Sequence, residues 1–465
     1  MALSFTRHYN SRTPYRGVLG FNWRHNFEVG LLEVQDQQQI DGAVQRQDRI
    51  HLWQADGRRI DFTPVARGQT PHLPKSLRQY EAEQHSDGQL TAGPFGYQWR
   101  WRDGTALDFA PNGKLQNITN AQGQVFKLGY DHSDRLIKLT DAQQRSLHLK
   151  YNRYGQLQTV TDPGNHVTHY HYDGDQNLIR VQYPDQTFKI YHYEDENDTH
   201  NLTGISVGSG IADDSAIRIA TWAYDDQDRA ISSEHANGSD KVSLHFDKAG
   251  QTTVTDARGR QSIYRNSTRQ DIPTVDAIYG PGCNQCGQGD VAYRYNDRMQ
   301  IIALAYKDGS ELHYSYDALG RTIAALIALP GQDAVEYAGF TYLGDSDKVS
   351  QMRIPSVRPH YWRTMQVSYD GHQRPTQVTE TGFAPKPDGS FAPITRSQRF
   401  AYKGRDRLVA VDGYRDDIED LLKLEWGESG TSRTVFPDGG SFEVLTVDAH
   451  GRASKIKTDS SGPLD

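Results

Sequence analysis

The sequence predicts an all-β protein that is built from repeated β-hairpins. The first observation is a repeat, because several tyrosines are spaced at intervals of 21 residues: Tyr130, Tyr151, Tyr172 and Tyr193, and further on Tyr295 and Tyr316. The second is that short stretches of alternating apolar and polar residues are separated by turn residues. The third is that no stretch sustains the i, i+3, i+4, i+7 apolar spacing of a helix. We therefore expect little helix.

Each unit begins with a tight turn directly after its aromatic residue. An aspartate recurs at the position after the aromatic residue, as Asp131, Asp173, Asp225, Asp247, Asp317 and Asp370, and a glycine recurs at the end of this turn, as Gly155, Gly250 and Gly320. Aspartate caps turns through its side chain, and glycine adopts a positive φ without strain. We therefore interpret Asp317 as a turn cap, Gly320 as the positive-φ residue and Arg321 as part of the outgoing strand. A catalytic pair would not be copied into so many units.

Two strands complete each unit. In the unit that begins at Tyr151, alternation predicts that Leu157 and Thr159 lie on the face opposite to Val160. A second turn follows at residues 162–165, and the return strands end in aromatic residues two positions apart: Tyr170 and Tyr172, Tyr191 and Tyr193, Tyr293 and Tyr295, Tyr314 and Tyr316. Residues two positions apart share one face of a strand. The rings are thus predicted to form a ladder along the sheet.

The repeat also divides the chain into regions. Residues 1–110 contain alternating strands with Asp-Gly turns but keep no 21-residue period, so we expect an N-terminal β capping domain there. Residues 111–465 are expected to form the repeats, with a long loop or irregular insertion at about 270–292. A short helix is allowed only near 414–423.

Composition and charge argue against several classes of protein. Only 36% of the residues are apolar, which favours a fold with much surface relative to its core. Aromatic residues make up 10% of the chain and include 26 tyrosines, which argues against disorder. The net charge of -8 gives no general attraction to nucleic acid or to anionic membranes. No apolar run approaches the roughly 18–20 residues of a membrane-spanning helix, and the N-terminus lacks the pattern of a signal peptide.

The cysteine pair Cys283 and Cys286, in "GPGCNQCG", is the strongest candidate metal site. A zinc site usually needs four ligands, so the pair supplies at most half of one. A redox pair of the thioredoxin type would begin a helix in a βαβ unit, which this sequence lacks. We interpret the pair as structural, either as free thiols or as a small local disulfide, and leave a half metal site and redox chemistry as alternatives. No cofactor is predicted.

Three further motifs resemble parts of a catalytic or metal-binding site. "GISVG" (204–208) matches the pattern around a serine nucleophile, but the residues after Ser206 alternate like a strand and do not supply the helix that this motif needs. His171 and His192 occupy equivalent positions in successive hairpins, about 10 Å apart, which is too far to share one metal ion. "DGDQN" (173–177) lacks the glycine and the glutamate of a calcium loop. None of these motifs is assigned a role.

The repeated units resemble the Rhs/YD-repeat family, which includes the shells of bacterial Rhs polymorphic toxins and the related barrels of teneurins and Tc toxins. The resemblance covers the units from about 111 to 460, and "FTRHYNSRTPYRGVLGFNWRHNFE" (5–28) resembles the domain that precedes the repeats. It implies hairpins that form one long spiralling sheet, as a hollow cocoon, a barrel-like shell or an arc of one. The sequence shows neither a spike-docking segment nor a self-cleaving core, and Asp162 in "TDPGNH" lies in a repeat turn. We therefore expect a shell fragment without delivery module and toxin.

The resemblance also implies a function. We expect a non-enzymatic shell fragment that encapsulates a C-terminal toxin or other polypeptide cargo for export in interbacterial competition, by type VI secretion or as a surface toxin. The expected partners are this cargo and a secretion machinery, with a homodimer as a further option and no nucleic acid. The expected location is the bacterial cytoplasm before export. The alternative is a carbohydrate- or receptor-binding module in adhesion, because paired aromatic rings can stack on a glycan.

Overall fold

The computed structural model describes the chain in ranges that are separated by short gaps: residues 3–12, 14–40, 43–65, 78–82, 88–101, 104–121, 123–210, 215–247, 250–269, 272–283, 287–404, 407–415, 420–427, 430–447 and 453–459. The side chains of 36–47, 272, 282–288, 430, 431 and 447 are outside the description. The chain forms two compact units, Met1–Asp308 and Gly309–Asp465. The boundary at 110/111 between a capping domain and the repeats stays a prediction.

The protein is all-β, as the sequence predicted. Within the described ranges no residue lies in an α-helix, and a 3₁₀ turn occurs at Ala236–Gly238. None of the described residues forms a helix long and apolar enough to cross a membrane. In the stretch 414–423, where a short helix was allowed, a strand begins at Leu421, and residues 416–419 lie outside the described ranges.

The first unit begins with short strands that pair as β1 with β4 and β2 with β3: β1 (Arg7–Tyr9), β2 (Arg16–Gly17), β3 (Gly20–Phe21) and β4 (Trp23–His25). The following strands pair antiparallel with their neighbours in the chain. They are β5 (Gly30–Ile40), β6 (Ala43–Trp53), β7 (Arg59–Pro64), β8 (Gln79–Ala82), β9 (Gln89–Gly93), β10 (Gly96–Arg100), β11 (Ala106–Phe109), β12 (Leu115–Thr119), β13 (Val125–Tyr130), β14 (Leu136–Thr140), β15 (Ser146–Tyr151), β16 (Leu157–Thr161), β17 (Val167–Tyr172), β18 (Leu178–Gln182), β19 (Thr187–His192), β20 (Gly204–Ser209), β21 (Ile217–Tyr224), β22 (Ala230–His235), β23 (Ser239–Phe246), β24 (Gln251–Thr255), β25 (Gln261–Arg269) and β26 (Ile272–Tyr279).

The meander of the first unit continues past a small hairpin. That hairpin pairs β27 (Gly282–Cys283) with β28 (Gly287–Gln288), after which β26 pairs with β29 (Val291–Tyr295) and β29 with β30 (Ile301–Tyr306). The stretch 270–292 thus contains a strand of eight residues, β26, where an irregular insertion was expected. It lacks the tyrosine-aspartate signature, so the repeat period could not reveal it.

The second unit is a meander of the same kind. Each strand pairs antiparallel with the next: β31 (Glu311–Tyr316), β32 (Thr322–Ala328), β33 (Val335–Tyr342), β34 (Val349–Pro355), β35 (Trp362–Tyr369), β36 (Pro375–Pro385), β37 (Phe391–Lys403), β38 (Arg407–Asp412), β39 (Leu421–Gly427), β40 (Gly430–Val435), β41 (Ser441–Val447) and β42 (Ala453–Asp459). Its buried side chains are small or polar, namely Ala325, Ala338, Ser346, Glu380 and Ser441.

A β-bulge recurs where the two strands that flank the first turn of a unit meet. In the unit of Tyr151 the register pairs Lys150 with Thr159 and Tyr151 with Leu157, which leaves one extra residue between them. Leu157 and Val160 are therefore buried on the same face, at 0% and 7% exposure. The strict alternation expected from the sequence was wrong here, because a bulge adds a residue and shifts the face of those that follow.

The apolar core of the first unit brings distant parts of the chain together. Leu19, Trp23 and Phe27, from the start of the chain, belong to one buried cluster with Leu157 and Leu178 of the repeats. Burial of a side chain of this size stabilises the fold by about 1.5–3 kcal/mol. The N-terminal segment is therefore part of the core and not an appendage.

Candidate functional site: the tyrosine face of the repeats

The turns of the repeats are held by an aspartate-arginine clamp. One oxygen of Asp131 accepts hydrogen bonds from the backbone N–H of Ser133 and of Arg135, both at 2.9 Å, and the other accepts from Arg135 Nε at 2.8 Å. These bonds, led by that from the Arg135 side chain, lower the pKa of Asp131. The same clamp joins Asp141 to Arg145, Asp225 to Arg229, Asp256 to Arg260, Asp317 to Arg321 and Asp370 to Arg374.

Some turns replace parts of the clamp. Asp173 accepts from the backbone N–H of Asn177 at 2.8 Å, and Asn177 stands where other units have arginine. The fourth residue of the turn has a positive φ whether it is glycine, as at Gly155 (81°) and Gly320 (80°), or not, as at Asp134 (64°). The backbone shape is therefore kept while the residue type varies.

The clamped arginine also connects one unit to the next. Arg135 lies 4.9 Å from the centre of the Tyr151 ring, and Arg321 lies 4.5 Å from the centre of the Tyr342 ring. A guanidinium within about 6 Å of an aromatic centre is attracted to the ring. The aspartate thus fixes an arginine, and the arginine positions the tyrosine of the following unit.

Each repeat tyrosine closes this connection through its hydroxyl. The hydroxyls donate to backbone carbonyls of the preceding unit: Tyr130 to Leu115 (2.6 Å), Tyr151 to Leu136 (2.6 Å), Tyr172 to Leu157 (2.8 Å), Tyr193 to Leu178 (3.0 Å), Tyr224 to Leu202 (2.8 Å) and Tyr295 to Val275 (2.8 Å). In the second unit Tyr314 and Tyr316 lie at the end of β31, and Tyr342, Tyr369 and Tyr402 make the equivalent bond. We call the face of β13–β21 that carries Tyr130, Tyr151, Tyr172, Tyr193 and Tyr224 the tyrosine face.

The N-terminal segment, residues 3–28, covers part of the tyrosine face. Arg7 donates to three phenol oxygens, those of Tyr170 at 3.2 Å, Tyr183 at 3.0 Å and Tyr191 at 3.4 Å. Burial, partly offset by Arg7, raises the pKa of Tyr170 to about 12. Burial likewise raises the pKa of Tyr191, so these two phenols stay neutral at physiological pH and keep their hydrogen-bonding capacity.

Further along the segment, aromatic side chains add hydrogen bonds and ring contacts to the repeats. Trp23 Nε1 donates to the Tyr193 hydroxyl at 2.8 Å, and its ring meets that of Tyr191 edge-on with centres 4.8 Å apart. The Tyr9 hydroxyl donates to the His200 carbonyl at 2.8 Å and accepts from the Leu202 N–H at 3.0 Å. The segment is thus bound by directed hydrogen bonds together with ring packing.

One buried titratable group lies within the segment. His25 is 2% exposed, and its Nδ1 accepts from the Phe27 N–H at 3.2 Å. Burial lowers the pKa of His25, and the carboxylate of Glu28 only partly opposes this. A neutral imidazole is the form that fits this site. Beside it, a cavity of about 540 Å³ separates the segment from the first repeats, with Tyr15, Lys114 and Tyr151 among its lining residues.

Ser206 makes contacts that resemble part of a hydrolase triad. Its hydroxyl lies 2.8 Å from His192 Nε2, while His192 Nδ1 is 3.8 Å from Glu194 Oε1, longer than a hydrogen bond. Glu194 instead accepts from Arg218 at 3.0 Å and from Thr203 at 3.2 Å. Burial, followed by the charge of Arg218, lowers the pKa of His192. Ser206 is in the middle of β20 and not at a strand-to-helix turn, so the geometry lacks the elbow of a serine nucleophile.

The structure does not test the cysteine pair as a metal site. Cys286 and the side chain of Cys283 lie outside the described residues. Among the described residues no group of three or more His, Cys, Asp or Glu side chains could hold a metal ion. The contacts of Arg7 and Trp23 were not anticipated, because single residues of a non-repeating segment give no periodic signal.

Comparison with known proteins agrees with the repeat geometry. The family described as RHS Repeat matches residues 111–146 and 151–187, and a domain of unknown function (DUF6531) matches residues 1–62. No curated protein matches the sequence.

The fold is similar to that of several solved chains at low sequence identity. The crystal structure of TcdB2-TccC3-TEV has 10% identity and a TM-score of 0.46, over 88% of this chain and 27% of that one. TcdB2-TccC3-Cdc42 has 10% identity and a TM-score of 0.47, over 91% and 28%. The Tc holotoxin pore of Photorhabdus luminescens has 11% identity and a TM-score of 0.42, over 91% and 28%. This chain thus spans little more than a quarter of the length of those chains.

The matched RHS repeats coincide with units in which a side-chain-capped turn, a bulge and a tyrosine bond recur. The chain therefore contains repeats of the RHS type at residues 111–146 and 151–187.

Proposed function

We propose that the chain is part of a shell wall that encloses a polypeptide cargo, a toxin domain in the parent protein, and shields it until export in interbacterial competition. The observation that carries this proposal is the binding of residues 3–28 on the tyrosine face. The repeats therefore already hold one stretch of polypeptide that is distant in sequence.

The chemistry of this face suits such a role. It offers phenol hydroxyls and ring edges, as Tyr170 and Tyr191 do toward Arg7, alongside its apolar contacts. Leu157 and Leu178 of the same face pack with Leu19, Trp23 and Phe27 of the N-terminal segment. A cargo held in this way would be restrained by polar and apolar contacts together.

The position of the rings supports a shell over a glycan-binding module in the first unit. Tyr170 and Tyr191 are each 4% exposed, and the hydroxyls of Tyr151 and Tyr172 are bonded to neighbouring units. Rings used in this way build the wall and are not free to stack on a sugar. Likewise, we propose that Ser206 has no catalytic role, because its hydrogen bond to His192 lies within the sheet.

Protection of an attached cargo tests the proposal. A ribonuclease domain is fused after the last residue of the full chain, and its cleavage by protease and its activity on RNA are measured. The control is the same domain mixed with the full chain without a covalent link. We expect the fused domain to resist protease and to show reduced activity, while the unlinked domain is cleaved and active. Equal cleavage of both would contradict encapsulation, and binding on a glycan array together with equal cleavage would favour the adhesion module.

Export is tested separately. We propose that the parent protein resides in the bacterial cytoplasm and is then secreted. We expect it in the culture supernatant only when a secretion machinery is intact, as measured by immunodetection in wild-type and secretion-deficient cells. Equal amounts in both supernatants would contradict this.

A further inference from the structure

The face of the repeat sheet opposite to the tyrosine face is basic. Alternation in β13–β18 directs to it a set of cationic or protonatable side chains that we call the basic face: Lys127, Lys138, His148, Lys150, His169, His171 and Arg180. All of these residues except Arg180 are exposed.

This concentration runs against the overall charge of the protein. The chain has 59 acidic residues and a net charge of -8, yet strands β12 to β20 contain no Asp or Glu. The acidic residues of this region lie in the turns, where Asp141 and Asp162 accept backbone hydrogen bonds. The strands of the basic face therefore carry positive charge without acidic residues of their own.

The strand register places these cations side by side. Lys138 pairs directly with His148, and His171 pairs with Arg180, so their Cα atoms are about 5 Å apart. Burial, followed by the charge of Arg180 and then that of His169, lowers the pKa of His171. A carboxylate placed beside this pair would favour the protonated form of His171.

The lysines of this face have no acidic partner among the residues that the structure describes. Within the described residues no ion pair involves Lys127, Lys138 or Lys150, whereas Lys114 in the preceding turn pairs with Asp134 at 2.8 Å. Their charges are therefore available to an external anion.

The surroundings of the cations narrow the class of anion. The tyrosine rings of β13–β17, such as Tyr151 and Tyr172, lie on the other face, so the described residues of these strands present no tyrosine to stack on the bases of a single-stranded nucleic acid. His148 and Lys150 on β15, and His169 and His171 on β17, stand two residues apart. That spacing of about 6.6 Å equals the distance between alternate side chains of an extended polypeptide.

We propose that the basic face binds an acidic polypeptide segment in extended conformation, with carboxylates at every second residue. The strands are five or six residues long, which limits the contact along one strand to about six residues of the partner. This site is on the face opposite to the one used for the proposed cargo. It does not depend on encapsulation.

A pair of peptides with the same composition tests the proposal on the full chain. One is a fluorescein-labelled peptide of alternating glutamate and threonine, about eight residues long, and the other carries the same residues as a block of each. We expect the alternating peptide to bind about tenfold more tightly, with an affinity that falls as salt is raised. Equal binding of the two peptides, or no binding of either, would overturn the proposal.

Charge reversal locates the site. The double variant Lys138→Glu and Lys150→Glu is expected to weaken binding of the alternating peptide at least about tenfold. The matched control, Lys386→Glu and Lys403→Glu, makes the same change in charge at exposed positions of the second unit and is expected to leave affinity within about twofold. Equal loss in both variants would show a net-charge effect only and overturn the site. Tighter binding of an oligodeoxythymidine or of phosphatidylserine vesicles than of the peptide would likewise overturn the choice of partner.

Discussion

The tyrosine face makes two kinds of hydrogen bond: from a tyrosine hydroxyl to the preceding unit, and from the N-terminal segment to a tyrosine hydroxyl. Replacing Tyr151 or Tyr193 by phenylalanine measures their separate contributions to stability. The Tyr151 hydroxyl makes one bond, to the Leu136 carbonyl at 2.6 Å. The Tyr193 hydroxyl donates to the Leu178 carbonyl at 3.0 Å and also accepts from Trp23 Nε1 at 2.8 Å. Removing one such bond costs about 1 kcal/mol in the free energy of unfolding. We therefore expect about 1 kcal/mol for Tyr151→Phe.

The second bond makes Tyr193→Phe the more damaging change. It leaves the indole N–H of Trp23, a residue that is 5% exposed, without its acceptor, and a buried unpaired donor costs about 1–3 kcal/mol. The expected loss is thus about 2–4 kcal/mol in total. The double variant with Trp23→Phe should recover part of it, with a coupling energy of about 1 kcal/mol or more.

The assay is guanidinium-induced unfolding followed by circular dichroism, with amide hydrogen exchange near Leu178 to detect local opening. Tyr154→Phe is the control, because Tyr154 is 70% exposed and the change should stay within about 0.5 kcal/mol. Equal losses for Tyr151→Phe and Tyr193→Phe, or no coupling between Tyr193 and Trp23, would refute the idea that the N-terminal segment is hydrogen-bonded to the repeats.

The remaining predictions concern pH and backbone shape. Burial holds the pKa of His25 below its unfolded value near 6.5, so the unfolded chain binds more protons. The free energy of unfolding should therefore fall as pH drops below about 6.5. His25→Asn keeps a hydrogen-bond acceptor and should flatten this pH dependence, as measured by thermal unfolding at pH 5 and 7. The hydrogen bond from Arg374 lowers the pKa of Asp370 to about 2. The contribution of Asp370 to stability is therefore present above the ordinary pKa of 3.8 and is lost as pH falls toward 2. Arg374→Gln should return the pKa of Asp370 toward 3.8 in a carboxyl NMR titration, and an unchanged pKa would exclude the clamp. Gly20 has a φ of +90°, and a Cβ there would collide with the Gln176 carbonyl. Gly20→Ala should therefore lower the free energy of unfolding by about 1 kcal/mol or more. It should also expose residues 3–28 to limited proteolysis. Proteolysis at the wild-type rate would contradict this docking.

The local geometry of the repeats was largely accessible from the sequence. The expected cap and positive-φ positions correspond to hydrogen bonds from Leu319 and Arg321 to Asp317 at 2.9 Å and to a φ of 80° at Gly320. Such features depend on residues within one turn, and their chemistry is local. The bulge between Thr159 and Leu157 was missed, because a hydrophobic pattern does not show where an extra residue is inserted.

The site itself depended on contacts that no periodic pattern encodes. Arg7 is 163 residues away from Tyr170 in sequence, and Trp23 is 170 residues away from Tyr193. Nothing in the short stretch around Arg7 distinguishes it from an exposed surface arginine.

The sequence by itself therefore determined the unit: an aromatic residue, a capped turn and two strands, fixed by backbone preferences over about 21 residues. Only the tertiary structure decided how the two faces are used. One face is covered by residues 3–28, whereas the opposite one keeps its lysines without an acidic partner among the described residues. The physical reason is that alternation assigns side chains to two faces, but long-range packing and the register between strands decide what each face meets.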